Sequence, residues 1–412
     1  MEESFFVIFR PNELYNGTYC TRGGDRKHGE RVRSSMAAAL AVLSLLSLLS
    51  PASAVGFDFP AVFNFGDSNS DTGDLIAVAV SGPLLPPNGQ TYFSRPVGRF
   101  CDGRLIIDFL MEAMDMPLLN AYLNSVGAPS FHKGCNFAAA ASTIGPATAA
   151  SLSPFSYMVQ VNQFFQFKSQ VLQILAKGKK LRKYVPQENY FSQGLYMFDI
   201  GQNDLAGAFY SVTEDRIIAY IPTMLIEFES GIKRLYDQGA RRFWIHNTGP
   251  LGCLAQNIFI FGRDASKLDE MGCVRSHNRV AKLFNLQLHA LCTKLRGVFA
   301  DANITYVDIF TIKLNLISNY SRYGFENPLA ACCGYGGPPL NYDFRVACGD
   351  TKVLNGVPAT AKACDDATEY ISWDGIHYTE AANRHVASQI LTGRYSDPPF
   401  AEKMPFALKL KF

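Results

Sequence analysis

The chain has 412 residues, of which 48% are hydrophobic and 18% are charged. This balance supports a large apolar core and excludes a globally disordered protein. The formal net charge is only +2, so the chain as a whole carries no basic surface and nucleic acid is not an expected partner.

The first 54 residues differ in composition from the rest of the chain. The stretch MAAALAVLSLLSLLSPASA at 36–54 is an apolar run that ends in Ala52-Ser53-Ala54, the A-x-A pattern of a signal-peptide cleavage site. A membrane-spanning helix needs ~20 apolar residues, so we expect a cleaved signal rather than a signal anchor. Translation is then expected to begin at Met36, and residues 1–35 are expected to be an unstructured upstream extension.

Strands and helices alternate along residues 55–412, which we expect to form a single domain. The length and period of the apolar runs predict strands at 60–65, 194–201, 242–249 and 304–310. The same criteria predict helices at 102–114, 156–177, 214–238, 265–298 and 379–391. Asp102 is in position to cap the first of these helices, and Thr379 the last. This alternation predicts an α/β fold with a mainly parallel sheet that is covered by helices on both faces.

Nine of the ten cysteines lie beyond the expected signal peptide, and an oxidising compartment favours disulfides between them. Cys253 and Cys273 bracket one segment, but spacing alone does not fix any pairing. Four more cysteines cluster in a Gly/Pro-rich region: Cys332, Cys333, Cys348 and Cys364. At least one thiol stays free because nine is odd, and the candidates are Cys101, Cys135 and Cys292. No paired C-x-x-C spacing is present, so a metal site is not expected.

Two glycosylation sequons follow in the same part of the chain, at Asn303-Ile304-Thr305 and Asn319-Tyr320-Ser321. Asn303 begins a predicted strand, so glycosylation is more strongly expected at Asn319. The sequons and the signal-like segment together predict a secreted glycoprotein without a stable membrane anchor.

The stretch VFNFGDSNSDTGD at 62–74 is a buried strand pattern that stops at a glycine and a serine. Gly66 allows a sharp turn, which would hold the hydroxyl of Ser68 at the edge of the sheet. The G-x-S-x-G pattern of the common α/β-hydrolases is absent, because Ser70 stands where its second glycine would be. A serine hydroxyl is a weak nucleophile, so Ser68 requires a base from elsewhere in the chain.

The segment SWDGIHYTE supplies a candidate base, since Asp374 can orient His377 across a glycine-containing turn. Asn203, in DIGQNDL just past a predicted strand, can donate to a developing oxyanion. The small residues of KGCNFAAAAST at 133–143 allow a backbone to lie against a ligand. Each motif alone also fits a non-catalytic interpretation. Asp374 and His377 could be an ordinary loop pair, Asn203 could belong to an Asn-Asp turn, and the small residues at 133–143 could be the closely packed start of a helix.

Taken together, the motifs GDSNSDTG, GCNFAAAAST, GQND and DGIH stand in the order of the GDSL esterase/lipase family, the SGNH hydrolases. The chain resembles the plant secreted, early-nodulin-like branch of that family from about Phe59 to Leu391, including ACCGYGG and ACGDTKVLNG. The resemblance implies a three-layer α/β/α, flavodoxin-like fold with a mainly parallel five-stranded sheet. It also implies ester hydrolysis by a Ser-His-Asp triad that needs no cofactor.

The resemblance further assigns a role to each motif. Ser68 resembles the nucleophile, His377 the general base and Asp374 the residue that orients it. The backbone N–H of Ser68 and the amide of Asn203 resemble two oxyanion donors. The third donor of the family is the backbone N–H of a glycine, for which Ala141 stands here, with Ala140 as the other possible match. An alanine methyl group there would crowd the acyl pocket or alter the local φ.

These features predict a monomeric serine carboxylic-ester hydrolase that acts through an acyl-enzyme in the apoplast or cell wall. Its expected substrates are short-chain, acetyl esters of a cell-wall polysaccharide or glycoside. The alternatives are an acyltransferase that uses the same acyl-enzyme, a lipase for longer acyl chains, and a non-catalytic binding protein. The sequence assigns no substrate-binding residues, although Trp373, beside the expected acid, is a candidate for stacking on a sugar.

Overall fold

The computed structural model describes residues 54–79, 82–124, 126, 129–146, 153–400 and 408–411. The predicted upstream extension and signal peptide lie outside these residues, apart from Ala54. Within the described part of the chain, no helix combines the length and apolarity needed to cross a membrane.

A six-stranded sheet forms the centre of the fold. Its strands are β1 (Val62–Gly66), β2 (Gly134–Asn136), β3 (Leu195–Asp199), β4 (Arg242–His246), β5 (Asn303–Val307) and β6 (Ser396–Asp397). They lie in the order β6-β5-β4-β3-β1-β2 across the sheet. The first five are parallel, in agreement with the predicted sheet. The sixth runs antiparallel at the edge; its two polar residues carry no apolar pattern, and Asp397 is held by Arg296 at 2.9 Å.

Helices cover the sheet in two groups, which confirms the predicted α/β/α layering. The larger helices are α1 (Ile106–Ala113), α2 (Tyr157–Lys177), α3 (Glu214–Asp237), α4 (Arg275–Val298), α5 (Ile309–Ser318) and α6 (Glu380–Leu391). In one group α3 packs against α2 and α4, and in the other α6 packs against α1 and α5. The shorter helices are Asp74–Ala77, Tyr190–Gln193, Gln202–Ala208 and Ala255–Phe261.

In the part of the chain that the structure describes, three small sheets lie outside the central one. Strand Asn327–Ala331 pairs in parallel with Tyr370–Ser372. Strands Thr351–Leu354 and Val357–Thr360 form a hairpin, and Ala54–Phe57 pairs with Leu408–Lys411. The first of these sheets positions the functional site, because its strand Tyr370–Ser372 leads directly into the segment that contains Asp374 and His377.

Several predicted elements have different boundaries in the structure, and for two of them the contacts give the reason. The helix expected from residue 265 begins only at Arg275, because Asp269 accepts hydrogen bonds from the backbone N–H groups of Met271 and Cys273 and closes a loop there. The strand expected to reach residue 310 ends at Val307, and α5 follows at once. Asp308 caps α5 by accepting from the N–H of Thr311 at 3.0 Å.

The predicted cap at Asp102 is wrong, because α1 begins four residues later. The carboxylate of Asp108, within α1, accepts from the N–H of Leu105. Asp102 instead accepts from the N–H of Glu380 at 2.7 Å, at the start of α6. Thr379 caps α6 as predicted, since its side chain accepts from the N–H of Ala382. The carboxylate of Asp102 therefore supports the first turn of α6, which is far from it in sequence.

Among the described residues, the cysteines form three disulfides: Cys253–Cys273, Cys332–Cys364 and Cys333–Cys348. The three candidates for a free thiol, Cys101, Cys135 and Cys292, are all unpaired and buried. Both sequon asparagines are described: Asn303 is half-buried at the start of β5, whereas Asn319 is exposed after α5. Their glycosylation stays a prediction.

Candidate active site

Ser68 lies on the turn that follows β1. A Cβ atom on Gly66 would stand 2.6 Å from the carbonyl oxygen of Asp199 on the neighbouring strand, so only glycine fits there. The backbone then turns tightly, with the N–H groups of Ser70 and Asp71 donating to the carbonyl oxygen of Asp67. This turn presents the Ser68 side chain at the carboxyl edge of the sheet.

The structure brings Ser68, His377 and Asp374 together. The Oγ atom of Ser68 lies 2.7 Å from Nε2 of His377, although 309 positions separate the two residues. The Nδ1 atom of His377 lies 2.6 Å from Oδ2 of Asp374. The other carboxylate oxygen of Asp374 accepts from the N–H groups of Ile376 and His377, and the ring of Phe100 lies 5.2 Å from the imidazole.

The charge state of Asp374 suits it to orient an imidazole. Burial alone would raise the pKa of this carboxyl. The imidazole of His377 and the hydrogen bonds from His377 and Ile376 outweigh burial, and they hold the pKa of Asp374 below its usual range. Asp374 is therefore ionised at neutral pH and accepts an N–H from Nδ1, which leaves Nε2 free to take a proton from Ser68.

Three donors were expected to face a developing oxyanion: the N–H of Ser68, the amide of Asn203, and the N–H of Ala141 or, in its place, Ala140. Asn203 lies in the first turn of the helix Gln202–Ala208, and its amide donates to the carbonyl oxygen of Ser142 at 2.9 Å. The N–H of Ala140 donates to Asp71 at 2.7 Å, so it is already engaged. Ala141 has φ +61°, in the left-handed region that favours glycine. Of the two alanines, Ala141 is thus the one whose backbone matches a glycine position.

Asp204 is a site residue that the sequence pattern did not single out. Its carboxylate accepts from the N–H groups of Ile144 and Gly145, at 2.8 and 2.9 Å. Burial raises the pKa of Asp204 to about 6, against the effect of these hydrogen bonds. Asn203 and Asp204 together hold the loop that contains Ala141, and the signal in the sequence was the aspartate that ends GQND.

Trp373 is not available to stack on a sugar, contrary to the expectation from its position beside Asp374. Its side chain is fully buried, and its indole N–H donates to the side chain of Asn88 at 2.9 Å. The ring packs with the disulfide-bonded Cys332 and Cys333. On the main chain, the carbonyl of Trp373 accepts from Cys333 and its N–H donates to the carbonyl of His377. Trp373 thus joins the disulfide cluster to the segment of the candidate base.

A cluster of ionisable side chains lies beneath the Ser68 turn. Burial raises the pKa of Asp67 to about 7, and the charge of Asp199 adds to this effect. Burial would likewise raise the pKa of Asp199, but the neighbouring His246 and Lys313 hold it below its usual range. Lys313 is itself buried, which lowers its pKa. Its Nζ atom lies 4.1 Å from the ring centre of Tyr378, next to the candidate base.

Replacing this cation should destabilise the protein. In Lys313→Met, the buried carboxylates of Asp67 and Asp199 lose a buried positive charge that interacts with both, so we expect the free energy of unfolding to fall by about 3–5 kcal/mol. Urea unfolding of the purified protein measures this change. The exposed Lys267→Met serves as a control, with an expected change below about 0.5 kcal/mol. Equal stability of the two variants would contradict a role for Lys313 in compensating the carboxylates.

Comparison with known proteins identifies the family. A family model described as GDSL-like lipase/acylhydrolase matches residues 62–390. The chain belongs to this family. Two GDSL esterase/lipases of Arabidopsis thaliana are each 58% identical to it, one over 398 residues (90% of this chain, 97% of the relative) and one over 360 residues (87% and 94%). An esterase of Hevea brasiliensis is 44% identical over 348 residues (83% and 88%).

This GDSL esterase/lipase is therefore an enzyme that hydrolyses ester bonds. The matched region covers the described strands of the central sheet except β6, together with Ser68, Asn203, Asp374 and His377. The family and the α/β/α fold expected from the sequence are confirmed. The catalytic roles of these side chains and the substrate are a separate matter.

Proposed function

We propose that this enzyme is a secreted serine esterase that uses Ser68 as its nucleophile and acts on short-chain, acetyl esters of a cell-wall polysaccharide or glycoside. The observation that best supports the proposal is the continuous chain of contacts from Ser68 Oγ through His377 to Asp374, at 2.7 and 2.6 Å. A nucleophile, a base and a group that orients the base are the parts that acyl transfer from an ester requires.

The proposed reaction has two halves. Nε2 of His377 takes the proton of Ser68 while Oγ attacks the ester carbonyl, and the imidazolium is stabilised by Asp374. The oxyanion accepts from the N–H groups of Ser68 and Ala141 and from the Asn203 amide. The proton then passes from His377 to the leaving alcohol as the ester bond breaks. Water, deprotonated by His377, attacks the acyl-enzyme and releases the carboxylic acid and free Ser68.

The preference for a short acyl group follows from position 141. Ala141 has φ +61°. Its methyl group occupies space that a glycine would leave open beside the proposed oxyanion donor. A longer acyl chain has less room beside such a methyl group than an acetyl group has. The acyl specificity is therefore proposed to fall with chain length.

The proposed secretion is supported by three disulfides, because such bonds persist in oxidising compartments. The exposed position of Asn319 is compatible with a glycan at that sequon. With the signal-like segment at 36–54, these features favour an extracellular enzyme of the apoplast or cell wall. We propose that it acts there as a monomer.

A substrate series tests the proposed specificity. Hydrolysis of p-nitrophenyl esters from acetate to palmitate should be fastest with acetate, and acetylated xylan should release acetate. A preference for the long-chain esters would instead favour a lipase. Analysis of the products in the presence of a sugar alcohol separates hydrolysis from acyl transfer, since a new ester in place of free acid would contradict the hydrolase proposal.

A further inference from the structure

Four aromatic residues form a partly exposed surface near the candidate base, which we call the aromatic ledge: Tyr210, Phe259, Tyr342 and Phe344. The ring of Phe259 lies 5.8 Å from that of Tyr342 and 6.2 Å from that of Phe344, both edge to face. Phe344 is 62% exposed and Tyr210 is 53% exposed. Grouped aromatic rings that remain open to solvent are typical of a binding surface rather than of a core.

The ledge is in contact with the segment that carries Asp374 and His377. Gly375 lies between these two residues with φ +91°, and a Cβ atom there would stand 2.2 Å from the ring of Tyr342. The Tyr342 ring therefore packs directly on the backbone of this segment. Any side chain at position 375 would push the ledge away from the base.

Gln256 connects the aromatic ledge to the segment of His377 and to the helix that carries Asn203. Its backbone N–H donates to the carbonyl of Gly375 at 3.1 Å, and its side-chain amide donates to the hydroxyl of Tyr210 at 2.7 Å. Tyr210 follows the helix Gln202–Ala208, which carries Asn203. The ledge thus spans from the proposed oxyanion donor to the proposed base.

The position of the aromatic ledge indicates whether it contacts the acyl group or the alcohol of a bound ester. In the proposed reaction His377 returns its proton to the leaving alcohol, so the alcohol lies on the side of the imidazole. The ledge packs against the segment of His377, through Gly375. It therefore flanks the alcohol half of a bound ester rather than the acyl half.

The chemistry of the ledge is both apolar and polar. Phe259 and Phe344 offer ring faces, whereas Tyr210 and Tyr342 add hydroxyl groups and Gln256 adds an amide. Burial raises the pKa of Tyr342, and the charge of Asp374 raises it further, so this hydroxyl stays protonated and able to donate. The chain of a fatty alcohol would form no hydrogen bonds with these polar groups. A sugar ring presents C–H groups to the aromatic rings and hydroxyls to the hydrogen-bond donors.

We propose that the aromatic ledge is the binding site for a sugar ring in the alcohol half of the substrate. The substrate is then an O-acylated carbohydrate whose ring stacks on Phe344 and hydrogen-bonds to Tyr210. This inference rests on the proposed function, and it adds the residues that select the substrate.

The test compares two acetate esters that differ only in the alcohol. Acetylated xylo-oligosaccharide carries a ring that reaches the ledge, whereas ethyl acetate has an alcohol too small to do so. In Phe344→Ala, we expect the ratio of kcat/KM for the sugar ester to that for ethyl acetate to fall about tenfold, the effect of losing one ring contact of about 1.4 kcal/mol. The loss should appear mainly as a higher KM.

Two variants serve as controls. Phe344→Trp keeps an aromatic face and should retain the ratio, while Tyr184→Ala removes a half-exposed ring on a different segment and should leave it unchanged. An unchanged ratio in Phe344→Ala would overturn the sugar site, and so would a wild-type enzyme that hydrolyses ethyl acetate but not the sugar ester. Failure of the wild-type enzyme on both esters would overturn the proposed function instead.

Discussion

Ser68→Ala is expected to lower kcat for a small aryl acetate by about 10⁴–10⁶-fold, the range seen when a nucleophilic serine is removed from an enzyme of this type. The variant loses the Oγ atom that stands 2.7 Å from His377 Nε2 and is proposed to form the acyl-enzyme. The oxyanion donors remain, so a small residual rate over uncatalysed hydrolysis should persist. Steady-state release of p-nitrophenol measures the change.

Ser70→Ala is the matched control for this variant. Ser70 lies two positions further along the same turn, and its buried hydroxyl has no hydrogen-bond partner within the described residues. Its removal should therefore leave the turn and the rate nearly unchanged. If Ser68→Ala stayed as active as Ser70→Ala while folded, Ser68 would not be the nucleophile.

Asp374→Asn is expected to lower kcat by about 10⁴-fold at neutral pH with little change in the fold. The remaining side-chain oxygen can still accept from the N–H groups of Ile376 and His377. The new amide, however, donates to Nδ1 of His377, so the imidazole carries its proton on Nε2 and cannot accept one from Ser68. The pH dependence of kcat, measured beside the wild-type enzyme, reports this loss of the base.

Asp366→Asn provides the comparison for the aspartate. Asp366 is exposed, and its carboxylate caps a short turn by accepting from the N–H of Thr368 at 2.8 Å. Asparagine can make the same contact, so activity should be unaffected. A loss below about tenfold in Asp374→Asn would mean that another group orients the imidazole.

The motifs predicted the fold and the local geometry of the site, because each motif depends on local sequence. Gly66 and Ser68 stand where a buried strand ends, and Asp374 and His377 meet across a turn of their own. The order of these motifs along the chain was enough to predict the family. The glycine position at 141 was also visible, since an alanine run stood in its place.

The family resemblance implied the contact between Ser68 and His377, but other contacts between distant segments were not visible in the sequence. Asp102 precedes α1 and has the residue type of a cap, but its partner is Glu380, 278 positions away. Trp373 stands beside an active-site acid, yet the disulfide cluster buries it. Lys313 lies in an apolar run, and nothing in that pattern indicates the carboxylates that surround it in three dimensions.

The link between Trp373 and Cys333 has a consequence for where the enzyme can work. The hydrogen bonds that hold the segment of His377 reach back to a strand end fastened by two cystines. In a reducing cytosol these two disulfides would not form, and the segment of His377 would lack this support. With the secretion proposed above, catalytic competence would be acquired along the export route, so the enzyme would spare the esters of the cell that makes it.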